Sequence, residues 1–312
     1  MAEMKSTRNA YGEALVKLGA VDEKVVVCDA DLAHATMTAF FAEKYPDRFY
    51  NFGIAESNMM AASAGLAHSG YTVFASTFAI FGAGRAYEQV RNAICYTNAN
   101  VKLGLSHAGP SCGEDGGSHQ AIEDIALMRV LPRMTVLVPC DAVEMEKAVF
   151  AAAKIEGPVF IRTGRLATEV ITTEETPFEV GKALQLRDGK DVAIIACGIL
   201  VPQAMHAAEE LAAEGIEARV INLHTIKPID SEAILAAAKD CGAIVTAEEH
   251  SIIGGLGSAV SEVLMGKAYV PFERVGVQDR FGQSGKPALL AEEYGLTAKD
   301  IVLAARRAIA KK

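Results

Sequence analysis

The chain has 312 residues, of which 51% are hydrophobic, a net charge of −9 and six cysteines without a Cys-x-x-Cys pair. That is enough apolar material for two cores without disulfides, and with no basic run longer than Lys311-Lys312 neither nucleic acid nor an anionic membrane surface is an expected partner. The opening MAEMKSTRN lacks an apolar signal core and no stretch reaches the ~18 apolar residues of a membrane span, so a globular cytoplasmic protein with reduced cysteines is expected.

In chain order, Ser6 is placed to cap a helix reaching Gly19, and Val25 to Cys28 reads as a buried strand ending at Asp29-Ala30-Asp31. Ligands of open parallel sheets bind at strand carboxyl ends, which marks Asp31 as a candidate, though Asp also serves a turn well. A helix from Met37 to Tyr45 and a short run from Arg48 to Phe52 follow. The chain then turns at Gly53 into a small-residue helix whose first turn carries Glu56 and which continues to Ala67. A carboxylate there either complements the helix dipole or, poorly solvated against small neighbours, acquires a raised pKa and shares a proton with a ligand nitrogen. After a strand from Tyr71 to Ala75, the segment Ser76 to Arg85 leads into a helix ending near Asn98. If that segment is helical, Phe78 and Phe81 share one face, as core or as a slot for a ring opened by Gly82, Ala83 and Gly84.

The strand Val101 to Ser106 opens into a polar loop, His107 to His119, that holds Cys112, Glu114 and Asp115. Loops fixed by strands in this way carry function. A zinc site from His107, Cys112, Asp115 and His119 has acceptable ligand types but no standard spacing. A helix from Gln120 to Arg129, a strand at Thr135 to Val138, a helix from Ala142 to Lys154 and a strand at Val159 to Ile161 complete a β/α alternation that predicts a parallel sheet flanked by helices. Arg162 and Arg165, just beyond, could clamp an anion or stay solvated.

The alternation dissolves around Thr173-Glu174-Glu175-Thr176-Pro177, and 171–186 reads as a linker between domains at 1–170 and 187–312. The second domain repeats the pattern, with strands at Asp191 to Ala196, Ala218 to Leu223 and Ala243 to Ala247 and helices around Gln203 to Ala213 and Ser231 to Lys239. Gly254 to Ser258 before a helix could cradle a phosphate but lacks dinucleotide spacing and reads as a turn, with a nucleotide-binding module as the rival reading. The last helix opens on a capping-box pattern, Thr297 and Asp300.

Taken together these residues resemble the C-terminal half of transketolase over nearly the whole chain. The resemblance rests on Gly53 to Glu56, on Thr77-Phe78-Ala79-Ile80-Phe81, and on His107, Asp115 and His119 at spacings of x7 and x3. It implies two α/β domains, one binding the pyrimidine of thiamine diphosphate and one C-terminal, and transfer of a two-carbon ketol unit from a ketose phosphate to an aldose phosphate. By the resemblance, Glu56 hydrogen-bonds the 1′ nitrogen of the aminopyrimidine, Phe78 and Phe81 stack on that ring, and Asp31 lies near the thiazolium. His107, Asp115 and His119 bind sugar hydroxyls, His107 and His119 also polarising the carbonyl, and Arg8 and Arg162 grip the substrate phosphate.

Two departures matter. Gly84 stands where many transketolases have a third aromatic, and Arg85-Ala86-Tyr87-Glu88-Gln89 looks more like deoxyxylulose-phosphate synthase, which is therefore kept as an alternative, together with a non-catalytic regulatory homologue. The Gly-Asp-Gly…Asn segment that holds diphosphate and magnesium in the family is missing, and no magnesium ligand set is found. The expectation is one subunit of a split enzyme: thiamine diphosphate shared with an N-terminal subunit that supplies the Mg2+ ligands, self-association through both domains, and an α2β2 assembly.

Overall fold

A computed structural model describes residues 3–312. The strands are β1 (Met4–Ser6), β2 (Val25–Asp29), β3 (Phe49–Asn51), β4 (Thr72–Phe78), β5 (Val101–Ser106), β6 (Thr135–Leu137), β7 (Val159–Arg162), β8 (Ala167–Glu169), β9 (Leu184–Arg187), β10 (Val192–Ala196), β11 (Ala218–Asn222), β12 (Thr225–Lys227), β13 (Ile244–Ser251) and β14 (Phe272–Val277), the central ones being buried runs rich in Val, Ile, Leu and Ala and β1, β3, β8 and β9 short and partly exposed. They form a seven-stranded sheet in the order β12-β6-β7-β5-β4-β2-β3, a five-stranded sheet in the order β14-β13-β10-β11-β9, and the small antiparallel pair β1-β8. Both large sheets are parallel except at one edge, β12 on β6 and β9 on β11. Central strands buried on both faces, such as β2, β5 and β10, require helices on each side, and the helices supply them. The fold is two α/β units, as expected. The strand β12 comes from the later half of the chain yet completes the first sheet.

Two caps follow the sequence reading, at Ser6 and Thr297, and the structure adds one at Asp141. Ser6 Oγ accepts from Asn9 N at 3.3 Å, Asp141 caps the helix Ala142–Lys154, and Thr297 N donates to the Asp300 carboxylate at 3.0 Å. All six cysteines are free and buried.

Four expectations need correction. The helix expected from Met37 to Tyr45 is two short helices, Ala33–Thr36 and Ala39–Lys44, split at Met37, whose φ is +67°. The buried Asp29 carboxylate holds the break by accepting from the hydroxyls of Thr36 (2.8 Å) and Thr38 (2.9 Å). The strand before the aromatic pair runs on to Phe78, and the helix after it is wound as π turns at Ile80–Arg85 and Val90–Tyr96 around the short α turn Tyr87–Gln89. Phe78 therefore ends a strand while Phe81 begins a helix. The helix expected from Gln120 starts at Asp124, because the carbonyls of Ala121 and Ile122 accept from Gly109 N and Ser251 N, both at 2.8 Å, and Ala121 bridges to Ala108 in extended form. The segment past Arg162 is less irregular than expected, since β8 pairs with β1 and the Asp141 carboxylate binds Ile171 N and Thr172 N.

Candidate active site

The carboxyl ends of β2, β4 and β5 converge, as the parallel sheet demands, and the candidate residues lie there. After β3 the chain turns at Gly53 (φ +67°), and Ala55, which has no side chain that could cap, leaves the first amides of the helix Glu56–His68 open to other partners. Glu56 begins that helix with only 2% of its surface exposed. The inner face is built from Met59, Met60, Ser63, Ala64 and Ala67, small or flexible enough for the helix to lie close to the sheet.

Across from Glu56, Asp31 sits just past β2 with φ +63°. Asn51 ties the two turns together: its Oδ1 accepts from Asp31 N (3.1 Å) and Gly53 N (2.9 Å), and its Nδ2 donates to Asp31 Oδ1 (3.3 Å). Between these turns opens a cleft of about 430 Å³ lined by Asp31, Ile54, Glu56, Phe81, Arg85 and His119, among others. At its end the Arg85 guanidinium lies 3.2 and 3.4 Å from the two Glu56 oxygens.

The aromatic residues form a layered set behind the cleft. Phe78 and Phe81 stack with centroids 5.9 Å apart and planes 13° from parallel, although they belong to different elements. Phe78 is 7% exposed and stacks on the His107 imidazole at 3.9 Å. Phe81 meets His119 edge-on at 5.4 Å and lines the cleft itself. Phe81 is thus the ring that borders the open space, with Phe78 as its backing.

His107 is 3% exposed with φ +58°, and its Nδ1 pairs with Ser106 Oγ at 2.9 Å. Burial first, and then the nearby guanidiniums of Arg8 and Arg165, push its imidazole down to about 3, so at neutral pH it is an uncharged donor and acceptor. The loop that follows is built of tight turns packed against neighbouring elements. Pro110–Asp115 forms 3-10 turns, and Gly113 packs against Pro287 and Arg165 in a left-handed conformation (φ +85°) that a side chain would strain. Asp115 is presented to solvent at the end of those turns, 3.9 Å from Arg165, and His119 Nδ1 pairs with Ser118 Oγ at 2.9 Å.

The arginines separate. Arg8 Nη1 donates to Ala35 O at 2.9 Å while its Nε is buried without a partner, and burial together with Arg165 lowers its pKa. Arg162, expected beside Arg8 as a phosphate ligand, is instead 6% exposed and engaged in the interior through Nε and Nη2. Its Nε and Nη2 donate to Asp124 at 2.7 and 3.2 Å, its Nη2 also to Glu249 O at 2.8 Å, and its Nη1 lies 3.8 Å from the Glu249 carboxylate. It closes a buried ion network between the two sheets that consumes Nε and Nη2 and, among the described residues, leaves only Nη1 without a hydrogen bond. Arg165, three residues on, is the arginine whose charge reaches Arg8 and His107. Its position in a glycine-bounded stretch beyond the strand end, Gly164-Arg165, was the signal to weigh.

The two rival readings of the motifs fare poorly. Cys112 is buried, its thiol pushed up to about 12 by burial and by Asp115, and no group of three His, Cys, Asp or Glu among the described residues is arranged to hold a metal. The Gly254–Ser258 amides are already taken: Leu256 N and Gly257 N donate to the Glu248 carboxylate at 2.6 and 2.8 Å, and Gly254 N to Ser258 Oγ at 2.8 Å. An internal carboxylate occupies the place a phosphate would need.

Comparison with known proteins bears on all of this. Residues 3–170 match the pyrimidine-binding domain of transketolase and residues 181–301 its C-terminal domain. A chain of Methanocaldococcus jannaschii named as a transketolase C-terminal section is 47% identical over 95% of this chain and 94% of its own length. A 6-deoxy-6-sulfo-D-fructose transketolase subunit of a Clostridium strain is 43% identical over 98% and 95%. A solved structure described as a split-gene transketolase in an inactive β4 tetramer superposes with a TM-score of 0.92 at 52% identity, over 98% of each chain.

Proposed function

The chain belongs to the transketolase family, and on that basis we propose that it is the pyrimidine-binding, C-terminal subunit of a two-chain transketolase, moving a two-carbon ketol unit from a ketose phosphate to an aldose phosphate. The single observation that carries the reading is the buried Glu56 carboxylate at the floor of a cleft that also exposes Phe81, Asp31 and His119. A carboxylate beside an aromatic wall fits the ring half of thiamine diphosphate, which needs one strong hydrogen-bond partner and one flat face. The other half is bound in the family by a Gly-Asp-Gly…Asn segment, and the only Asp-Gly pairs here, Asp115-Gly116 and Asp188-Gly189, do not have that context. We therefore assign the diphosphate and Mg2+ to an N-terminal partner chain.

When bound, thiamine diphosphate supplies a nucleophilic carbon that can carry the two-carbon unit. Glu56 shares a proton with the ring nitrogen, and Phe81, backed by Phe78, stacks on the ring. Asp31 sits at the thiazolium side. His107, neutral at working pH, hydrogen-bonds the sugar and polarises its carbonyl together with His119, while Asp115 and His119 take hydroxyls. Arg8 and Arg165, in place of Arg162, take the substrate phosphate, a task for which paired guanidiniums suit. We further propose domains at 1–170 and 187–312, the linker between them ending in residues that, from Leu184, already belong to β9 of the second sheet, together with an α2β2 assembly through both domains and a cytoplasmic place in carbohydrate metabolism. Among the described residues no helix is long and apolar enough to cross a membrane.

The test is reconstitution. The chain is combined with a subunit bearing Gly-Asp-Gly…Asn, and ketol transfer and magnesium-dependent cofactor binding are measured for wild type and Glu56→Gln. The reading expects both properties only in the mixture, with transfer reduced more than a hundredfold in the variant. Turnover by this chain alone, or activity of Glu56→Gln within a few-fold of wild type, would refute it.

A further inference from the structure

We propose that Arg85 is a latch that closes the ring-binding cleft of the uncombined chain and is displaced when the cofactor ring enters. The inference rests on the reading of Glu56 and Phe81 given above and adds a residue to it. One guanidinium engages both groups on which ring recognition depends. Its Nη1 contacts both Glu56 oxygens at 3.2 and 3.4 Å, and its Cζ sits over the Phe81 ring, 4.7 Å from the centroid. A ring stacked on that face of Phe81 and bonded to that carboxylate would need the volume the guanidinium fills.

The local winding puts Arg85 there. Ile80–Arg85 is a π turn, closed by Ala86 N donating to Phe81 O at 3.0 Å, five residues back. Such turns are rare and are found mostly at functional positions. The Phe81 and Arg85 side chains are brought to one side, and Gly84 between them adds no side chain that would wall off the cleft. Gly82 fixes the turn against the sheet, because a Cβ there would meet Leu105 at 2.6 Å.

The latch is held weakly. The Arg85 side chain is 54% exposed, and among the described residues its guanidinium has no hydrogen-bond partner other than Glu56. A half-exposed ion pair contributes little net free energy because water competes for it, and the cation–π contact is of similar rank. A ligand that both stacks and hydrogen-bonds can displace it, at the cost of an affinity reduced by the fraction of chains that stand open.

The experiment titrates the aminopyrimidine 4-amino-5-aminomethyl-2-methylpyrimidine into the full chain by calorimetry or ligand-observed NMR, and thiamine diphosphate with Mg2+ into the reconstituted complex. Arg85→Ala should bind each ligand several-fold tighter than wild type, up to about tenfold if the latch is closed nine-tenths of the time, with Arg85→Lys in between. The complex decides where the isolated chain binds too weakly to titrate. Equal or weaker binding by Arg85→Ala overturns the latch. Glu56→Gln in the Arg85→Ala background separates this failure from that of the underlying reading: if the glutamine leaves affinity unchanged, Glu56 is not the ring's partner, whereas a loss at Glu56 without a gain at Arg85 removes the latch alone.

Discussion

Replacing Arg162 with methionine should cost stability and leave substrate affinity alone, the opposite of what a phosphate ligand would do. The variant removes three charge-assisted hydrogen bonds, two to Asp124 and one to Glu249 O, and strands two carboxylates that are 0% and 3% exposed. Hydrogen bonds to charged groups contribute about 1.5–3 kcal/mol each, partly offset by the relief of no longer burying the guanidinium. Breaking a buried pair by removing one partner costs about 3–5 kcal/mol net. With an unfolding entropy of about 2.1 cal/mol/K per residue, the 312-residue chain should lose roughly 5–8 °C in Tm. The assay is thermal and urea unfolding of Arg162→Met beside Arg165→Met, whose side chain is 31% exposed and donates to Cys112 O, and which should cost less than Arg162→Met, about 1–2 kcal/mol, while raising KM for sugar phosphates in the reconstituted enzyme. Adding Asp124→Asn to Arg162→Met should recover part of the loss, since the neutral amide no longer strands a charge. An Arg162→Met protein within 1 °C of wild type but with a raised KM would refute the reasoning and return Arg162 to the substrate.

Three further outcomes are expected. Burial raises the Glu144 carboxyl to about 7 at the junction with Asn222; between its unfolded value of 4.5 and 7 the folded chain therefore holds a proton the unfolded chain has lost, and stability falls as pH rises through that window and levels off above it. Glu144→Gln should flatten the difference in urea stability between pH 5 and pH 8 by about 3 kcal/mol, and an unchanged slope would exclude Glu144 as its source. His107, held at about 3, should show no imidazole titration by 15N NMR between pH 8 and pH 5, and a midpoint near the ordinary 6.5 would mean that burial and the two arginines do not govern it. Gly255→Ala places a methyl on the Glu248 carboxylate and His250 Nδ1 and should cost about 1–3 kcal/mol without any change in adenine-nucleotide binding, whereas nucleotide affinity lost with the glycine would revive a phosphate role for that loop.

The fold was legible because its signals are local. The buried runs of β2, β5 and β10, the caps at Ser6 and Thr297 and the turn before Glu56 each follow from neighbours in sequence. What escaped was decided by distant partners. Asp29 breaks a helix by reaching to Thr36 and Thr38, and Gly109 and Ser251 delay another by taking the carbonyls of Ala121 and Ile122. In the site, Glu56, Asp31, Phe81 and His119 line one cleft; the residues alone left each of them a bland reading, and only the resemblance to transketolase implied that they belong together. Arg162 and Arg165 look alike in sequence. Only the position of Asp124 and Glu249, 38 and 87 residues away from Arg162, shows which guanidinium is consumed by the interior.

The strand β12 sets how the chain can be cut. It pairs antiparallel with β6, Thr225 opposite Leu137 and Lys227 opposite Val136, so the edge of the first sheet is covered by residues that arrive some ninety positions later. A fragment ending at the linker would bare the outer amides and carbonyls of β6, a template onto which the same strand of another molecule can add. Its complement would carry three residues of strand with no sheet to join. Separately produced halves should therefore precipitate or recombine rather than behave as two tame domains. A gene break within this chain is penalised at the very linker where the sequence looks most divisible.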